Sequence, residues 1–519
     1  MPRTVSTRSA WWATLALLSA ALIGPLLIAD VPPILDYPNH LARFVLLAAG
    51  PDDPVLGPIF TPHWAIVPNL ASDVIGPPLL RLLPVHIAGR CLLAGVLLLN
   101  LAGVLALHRS LFGRRSFWPL AAGLVAYNST FLLGFLNWQI GSGLAMLFAA
   151  AWFTWRERRP VATVAAASAA SVVLFFCHPM GLMFFLVLIG SAEAHAMRNG
   201  RAVLVRSALL LPVLVGPILL SLLTALRNEP ATADWMDLPA KLVQVVSPFV
   251  NYFFPLDAIS ALLVYGGVAL GVATGWLVLA PRCILAAAAF AILYVAVPFN
   301  LKGTSFVDTR IAVMFGFLVF AAVAPARLPR QAGRVIAAGL AALFAVRMTV
   351  VASVWMEQRR DLAELRSVIA AVPPGAKVYV TNVPREEAQT YWDTGPRSRL
   401  LSNILRTDYH LPALLLIERG AFWPLLFAIP AQQPIRLRPA YEKLAQEAHD
   451  IPSHADLLAD PDRGASAILD FDFVLLLEAG ADADLAGFMP RCLALVSRTD
   501  FAALFRVRHD DADCTPGRP

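Results

Sequence analysis

Charge, cysteine and short catalytic motifs are all scarce in this chain. Only 15% of its 519 residues are Asp, Glu, Lys or Arg, and five are cysteines. The sequence contains no CxxC or HExxH metal-ligand spacing, no P-loop and no GxGxxG after a predicted strand. The missing motifs argue against a nucleotide-binding protein and a zinc enzyme. The low charge argues against a soluble globular protein.

Long apolar runs are what the chain does contain. Hydrophobic residues make up 58% of it, and the mean hydropathy is +0.66. Runs long enough to cross about 30 Å of hydrocarbon recur between Trp11 and Trp355, and they predict a mainly α, polytopic membrane protein with about 11 transmembrane helices. The predicted spans are 10–29, 83–107, 117–135, 138–155, 161–177, 181–197, 207–226, 258–280, 283–299, 307–325 and 335–355.

A second region follows the apolar runs. We predict a transmembrane body over 1–355, with long outer loops at 30–82 and 227–257, and an external α/β domain over 356–519. The predicted strands of that domain are 377–381, 471–477, 493–497 and 502–507. Its two cysteines are Cys492 and Cys514, and the sequence leaves open whether they form a disulfide.

Arginines predict how the chain is oriented in the membrane. The loops that lie inside when the N-terminus is cytoplasmic hold Arg3, Arg8, Arg109, Arg114, Arg115, Arg156, Arg158, Arg159, Arg198, Arg201, Arg206, Arg282, Arg327, Arg330 and Arg334. By the positive-inside rule this orientation is favoured. An odd number of spans then places the C-terminal domain in the periplasm of a bacterial inner membrane. Since most of the arginines behind the net charge of +6 lie in these membrane loops, the charge does not indicate a nucleic-acid partner, and we predict none.

The order of these parts resembles the GT-C superfamily of polytopic glycosyltransferases. The resemblance consists of one helix, a long outer loop with Asp36 near its start, many further helices and an external α/β domain. Segments 470–476 and 493–507 are similar to the closing strands of such domains. The superfamily includes protein mannosyltransferases and lipid A aminoarabinose transferases. The resemblance implies an inverting enzyme that moves a sugar from a polyprenyl-phosphate donor to a periplasmic glycan, lipid or protein, with Asp36 as general base.

The next outer loop departs from the superfamily pattern. Many relatives carry a second acidic residue there, whereas residues 128–140 contain no carboxylate. We therefore favour a donor phosphate held by arginine or histidine over one bridged by a metal. No metal ligand and no certain cofactor is predicted, and a divalent cation remains open.

Transfer from a lipid phosphate requires a base for the acceptor hydroxyl and a group that neutralises the leaving phosphate. Asp36 suits the first role, because a carboxylate at the mouth of a helical membrane protein is costly to keep there. His40 lies four residues later and would share a helix face with Asp36. It would then tune the base or contact phosphate, or else orient the loop.

Three basic residues are candidates for the donor phosphate. Arg310 begins a long apolar helix, and its planar guanidinium suits phosphate oxygens. Lys302 lies close by in the sequence, and a lysine that reaches toward the membrane surface is the alternative there. His178 lies in a very short outer loop, where a structural role is the alternative.

Four further residues are candidates for binding the sugar or the acceptor. Asn137, Trp138 and Gln139 supply amide and indole donors between two glycines. A belt of interfacial tryptophans explains Trp138 equally well. Asp308 precedes Arg310 by two residues, and pairing with an arginine is its alternative.

Two other functions compete with the transferase. One is a transporter or flippase for a lipid-linked molecule, and the other is a non-catalytic scaffold on the same fold. The sequence shows no inverted repeat, which argues against a transporter. The main charges inside the spans, Arg90 and Arg347, have no obvious acidic partner in the sequence.

Overall fold

The computed structural model describes residues 7–197, 199–224, 232–302, 304–383, 400–402, 405–445, 451, 453, 467–479, 492–509 and 514. The helices of this part are α1 Thr7–Ile23, α2 Tyr37–Ala49, α3 Ala71–Leu80, α4 Val85–Phe112, α5 Ser129–Leu132, α6 Leu136–Trp155, α7 Pro160–Cys177, α8 Pro179–His195, α9 Gly200–Leu223, α10 Leu238–Gln244, α11 Phe254–Ala261, α12 Gly267–Ala273, α13 Ile284–Ala296, α14 Val307–Ala322, α15 Arg330–Ile369, α16 Leu414–Arg419 and α17 Pro439–Glu442. The strands are β1 Phe60–Pro62, β2 Ala233–Asp234, β3 Leu277–Leu279, β4 Asn300–Leu301, β5 Val323–Pro325, β6 Val378–Asn382, β7 Ile435–Leu437, β8 Phe473–Leu477, β9 Leu493–Arg498 and β10 Ala502–Val507.

Apolar helices form most of the described chain. Six of them are long and apolar enough to cross a membrane: Arg8–Leu27, Val85–Phe112, Pro160–Cys177, Gly200–Leu223, Phe254–Ala273 and Arg330–Ile369. Pro179–His195 and Pro281–Ala296 are shorter apolar helices. The prediction of a mainly α, multi-pass membrane protein is therefore confirmed.

One predicted span is wrong as a single helix. Residues 117–135 form a 3₁₀ helix over Trp118–Val125 and then the short helix α5. Asn128 has an extended backbone, and its side chain accepts a hydrogen bond from the Phe131 N–H. An asparagine in this role begins a new helix, which explains the interruption of the apolar run.

Helix α15 is longer than the span predicted at 335–355. It runs without interruption for 40 residues, so the domain boundary drawn at 355 falls inside it. At 1.5 Å per residue its length is about 60 Å, twice the hydrocarbon thickness. Its last turns bury Leu362, Leu365 and Val368, and this part packs against β10 of the C-terminal domain.

The two ends of the helical bundle differ in the loops that meet there. Arg115 stacks on the ring of Trp12, with its guanidinium carbon 4.9 Å from the ring centroid. Arg206 pairs with Glu157 at 3.1 Å. Segments that were predicted to lie toward the same side of the membrane therefore contact one another. We call this the arginine end, and the opposite end, which carries residues 30–82, the Asp36 end.

The expectation that Arg347 lacks an acidic partner is wrong. Its Nη1 atom donates hydrogen bonds to Asp257 Oδ1 at 2.8 Å and to Ser260 Oγ at 3.1 Å, and all three residues are buried. Asp257 also accepts a hydrogen bond from Ser402 at 2.6 Å. These residues lie far apart in the sequence, which is why the pairing was not visible there.

A four-stranded sheet forms the core of the C-terminal domain, in the order β6-β8-β10-β9. Strands β6 and β8 are parallel, and the other neighbours are antiparallel. All four predicted strands are confirmed to within a few residues. A disulfide joins Cys492 and Cys514, which settles the alternative that the sequence left open.

The first long loop docks onto the C-terminal domain. Strand β1 pairs with β7 in antiparallel register. The side chain of Asn39 in α2 accepts a hydrogen bond from Trp423 Nε1 at 2.8 Å and donates one to the Leu425 carbonyl at 3.1 Å. These contacts hold the segment after residue 405 beside α2, where the predicted base lies.

Candidate active site

Asp36 occupies the residue before the first turn of α2, and its carboxylate does not cap that helix. An aspartate there normally accepts hydrogen bonds from the first backbone N–H groups. Here its side chain makes no such bond, and Pro38 at the second helical position has no N–H to offer. The side chain keeps 16% of its surface exposed. The carboxylate therefore retains acceptor capacity toward a ligand.

The loop around Gly134 sets the position of Asp36. The Asp36 N–H donates to the Leu133 carbonyl at 3.1 Å. Gly134 has a φ of +81°, and a Cβ atom there would lie 2.8 Å from the Asp36 nitrogen. Only glycine fits both this backbone conformation and this close approach. A short loop between two helices thus fixes the start of α2.

Arg310 lies next to the same loop, in the first turn of α14. Its guanidinium carbon is 4.3 Å from the ring centroid of Phe135, and Nη1 donates to the Ser305 carbonyl. Its charge interacts with the carboxylate of Asp36. Within the described part of the chain its buried Nε atom has no hydrogen-bond partner. A buried cation with an unused donor is costly, and an anionic ligand would remove that cost.

His178 belongs to the same group, because it interacts electrostatically with Arg310. It precedes the first turn of α8, where its Nδ1 atom accepts a hydrogen bond from the Met180 N–H at 3.0 Å. An accepting Nδ1 places the proton of the neutral ring on Nε2. His178 therefore presents a hydrogen-bond donor.

The C-terminal domain contributes a residue that sequence reasoning missed. His410 Nδ1 lies 3.2 Å from Asp36 Oδ1, and the imidazole packs edge-on against Phe427 with 5.0 Å between centroids. The histidine is buried. The signal in the sequence was the dense polar run 406–410 just before an apolar stretch. Nothing in the sequence paired that run with Asp36.

His40 is engaged in positioning contacts. Its Nδ1 atom lies 2.9 Å from Arg43 Nη2, and the ring also hydrogen-bonds to the Gly134 backbone. Arg43 in turn pairs with Asp73, with Nε–Oδ1 and Nη2–Oδ2 distances of 2.5 and 3.0 Å. Burial, reinforced by the charge of Arg43, holds the pKa of His40 well below its ordinary value. A neutral His40 thus connects α2 and α3 to the loop that places Asp36.

Three of the four predicted sugar- or acceptor-binding residues lie in the first turn of α6, and the two amides among them already have structural contacts. The Asn137 side chain accepts from the Ser72 N–H at 2.6 Å. Gln139 donates to Asn128 Oδ1 at 3.0 Å. Trp138 is fully buried, and its indole N–H has no partner among the described residues. Sugar binding by these residues stays a prediction, and the amides would have to give up these bonds to take part.

Asp308 and Lys302 lie on the side of Arg310 that faces the second long loop. Asp308 is fully buried, and its Oδ2 atom lies 3.8 Å from Lys241 Nζ. Lys241 also donates to the Val297 carbonyl at the end of α13, at 2.6 Å. Lys302 follows β4 in a turn, with a φ of +49°, and is half-buried. Donor or acceptor binding by Asp308 and Lys302 stays a prediction.

Comparison with solved structures identifies the architecture. The crystal structure of ArnT from Cupriavidus metallidurans bound to undecaprenyl phosphate is similar over 99% of this chain and 100% of that one. The TM-score is 0.53 and the sequence identity is 11%. The chain has a GT-C-like fold. The sequence resemblance is thereby confirmed at the level of the fold. No protein-family model matches the sequence, and no curated protein does.

Within this GT-C-like fold, the Asp36 end combines a carboxylate with acceptor capacity, a buried guanidinium and two histidines. Such a set can accept a proton and hold an anion at the same place. In the described ranges no group of three or more His, Cys, Asp or Glu side chains is arranged to hold a metal ion.

Proposed function

We propose that this protein is a membrane glycosyltransferase that transfers a sugar from a polyprenyl-phosphate donor to a periplasmic glycan, lipid or protein. One observation carries the proposal. The partly exposed carboxylate of Asp36 and the incompletely bonded guanidinium of Arg310 lie together at one end of a GT-C-like bundle. The ArnT structure of similar fold contains undecaprenyl phosphate, which supports a lipid phosphate as the donor group.

The roles of these residues follow from the charges that develop during transfer. The acceptor hydroxyl attacks the anomeric carbon while Asp36 takes its proton. The bond between that carbon and the phosphate oxygen breaks, and the negative charge that collects on the lipid phosphate is stabilised by Arg310. The Nε2–H of His178 is a second donor for the phosphate. Attack opposite the leaving group inverts the anomeric configuration.

In this proposal the C-terminal domain positions the general base, Asp36. His410 Nδ1 lies 3.2 Å from Asp36 Oδ1 without the geometry of a hydrogen bond, and we expect it to form that bond and position the carboxylate when substrate is bound. The domain is then part of the catalytic site, because α2 and the segment after residue 405 are bonded through Asn39. The arginine-bearing loops support an orientation with the arginine end in the cytoplasm and the Asp36 end in the periplasm.

The proposal is tested with the purified full-length protein in nanodiscs. Polyprenyl-phosphate sugars are added one at a time with a membrane extract as acceptor source, and release of polyprenyl phosphate is followed. Asp36→Asn should lower turnover about 10²- to 10⁴-fold, the contribution expected of a general base. Binding of undecaprenyl phosphate, measured by native mass spectrometry, should be retained.

Asp52→Asn is the matched control, because Asp52 is an exposed carboxylate of the same loop. It should retain wild-type turnover. Full turnover by Asp36→Asn would rule out the base. Absence of both turnover and lipid binding in the wild-type protein, across the donor panel, would favour a scaffold.

A further inference from the structure

A second cationic site lies at the Asp36 end, in a cavity of about 390 Å³. The cavity opens between the end of the first span, the start of α4 and the later turns of α15. Its charged lining residues are Asp30, Arg90, Arg359 and Arg366. None of the residues that line it belongs to the candidate active site.

The three arginines differ in how far their donors are used. Arg366 is saturated, because it donates to Glu418 Oε1 at 2.6 Å and pairs with Asp30 at 2.8 Å. Arg90 uses only its Nε atom, which donates to the carbonyl of His86 at 3.2 Å. Arg359 is exposed, and no described residue pairs with it. Two guanidinium groups with unused donors therefore line one cavity. Asp30, the acidic residue among its lining residues, is already paired with Arg366.

The lining residues place the cavity where two of the apolar spans end. Leu27, which ends the first span and lines the cavity, is 70% exposed. Arg359 lies one helical turn beyond Trp355, where the apolar part of α15 ends. Leu362, on the same helix, also lines the cavity. Phosphate groups of membrane lipids occupy this depth, and basic residues there attract them.

We propose that this cavity binds a phosphate group, with Arg90 and Arg359 as its donors and the ion-paired Arg366 as its third cationic wall. The planar guanidinium fork matches phosphate oxygens, and the bond is charge-assisted. The phosphate belongs either to an anionic phospholipid headgroup or to free phosphate, which present the same chemistry. The site is independent of the proposed transferase reaction.

The test uses the full-length protein in nanodiscs of phosphatidylcholine. In one arm phosphatidylglycerol is added in increasing fraction, and the lipids retained by the protein are counted by native mass spectrometry. In the other arm inorganic phosphate is titrated without phosphatidylglycerol, and the rise of the unfolding temperature is measured. Retention in the first arm identifies a lipid headgroup as the source, and stabilisation in the second identifies free phosphate.

Matched variants assign the binding to the cavity. Arg359→Gln alters an exposed side chain, and we expect it to weaken binding about tenfold in the arm that responds. Arg90→Gln should add a comparable loss. Asp30→Asn removes the competing carboxylate and should tighten binding. Arg81→Gln, an exposed arginine at the end of α3, is the control and should behave as wild type.

Arg310→Gln separates this site from the proposed donor site, because it should leave phosphate binding in the cavity unchanged. Equal binding by wild type, Arg359→Gln and the double variant Arg90→Gln/Arg359→Gln in both arms would overturn the proposal. A failure of wild type to prefer phosphatidylglycerol over phosphatidylcholine, together with no effect of inorganic phosphate, would overturn it too.

Discussion

Arg347 and Arg310 are both buried in the helical bundle, and they differ in what surrounds them. Arg347 donates to a carboxylate, a hydroxyl and the Phe249 carbonyl. Arg310 donates to one carbonyl, lies on an aromatic ring, and leaves its Nε atom without a partner among the described residues. A buried polar group without a partner is uncommon in proteins and requires an explanation.

The comparison suggests how to separate structural from functional cations in this protein. The environment of Arg347 is complete, so removal of the side chain should cost stability. The environment of Arg310 is incomplete and lies beside Asp36, so its removal should cost ligand binding and rate. Burial alone does not distinguish them, whereas the count of satisfied donors does.

The largest expected effect is on the stability of the Arg347 cluster. Arg347→Gln leaves the buried Asp257 carboxylate without its cation, which should lower the free energy of unfolding by about 3–5 kcal/mol. Denaturant unfolding of the detergent-solubilised protein measures this. The double variant Arg347→Met/Asp257→Leu removes both charges and should be less destabilised than Arg347→Gln. The opposite order would show that the pair is not the source of the stability.

Arg310→Gln should produce the complementary result. We expect turnover to fall about 10²- to 10³-fold, as when one group that stabilises a developing anion is removed. Binding of undecaprenyl phosphate should weaken, while the unfolding midpoint changes less than in Arg347→Gln. A large loss of stability with unchanged lipid binding would erase the distinction between the two arginines.

His410→Ala extends the comparison to the C-terminal domain. A positioning residue of Asp36 should affect the rate and leave donor binding unchanged, so kcat should fall about tenfold with KM for the donor unchanged. His410→Asn keeps a side-chain donor near the Nδ1 position and should restore part of kcat. If His410→Asn loses as much kcat as His410→Ala, and both variants are also less stable than wild type, His410 has a structural role.

The smallest effect on the free energy of unfolding should come from the partly exposed cluster of Asp30, Arg366 and Glu418. Burial raises the pKa of Glu418, but hydrogen bonds from His86 and Arg366 outweigh it and hold the pKa below the ordinary 4.5. Glu418 thus contributes stability above pH 4.5 that is lost as the pH falls through its folded-state pKa.

Measuring the free energy of unfolding against pH for wild type and Glu418→Gln checks this. The difference between them should be constant near neutral pH and shrink below about pH 4.5. Glu442→Gln, an exposed glutamate in α17, should show no such pH-dependent difference. A difference that stays constant to lower pH would contradict the assignment.

Features that depend on short stretches of sequence were predicted better than features that depend on contacts between distant segments. The four strands of the C-terminal sheet follow from short-range periodicity and turn chemistry. The interruption at Asn128 was missed because the polar run Asn128–Thr130 is short and the stretches on both sides of it are apolar. The contacts of Asp36 with His410 and of Arg347 with Asp257 join distant segments, and no single-sequence pattern encodes such pairs. Arg310 was found because guanidinium chemistry at a helix start is itself a local signal.

Helix α15 couples the bilayer to the C-terminal sheet. It contains no proline over its 40 residues and packs on β10, so a change in the tilt of its span moves the sheet as well. The β1–β7 pairing ties the same domain to the loop that carries Asp36. A span tilts when the hydrocarbon thickness changes. We therefore expect acyl-chain length to affect the distance between His410 and Asp36, which would make membrane thickness a physical input to this site.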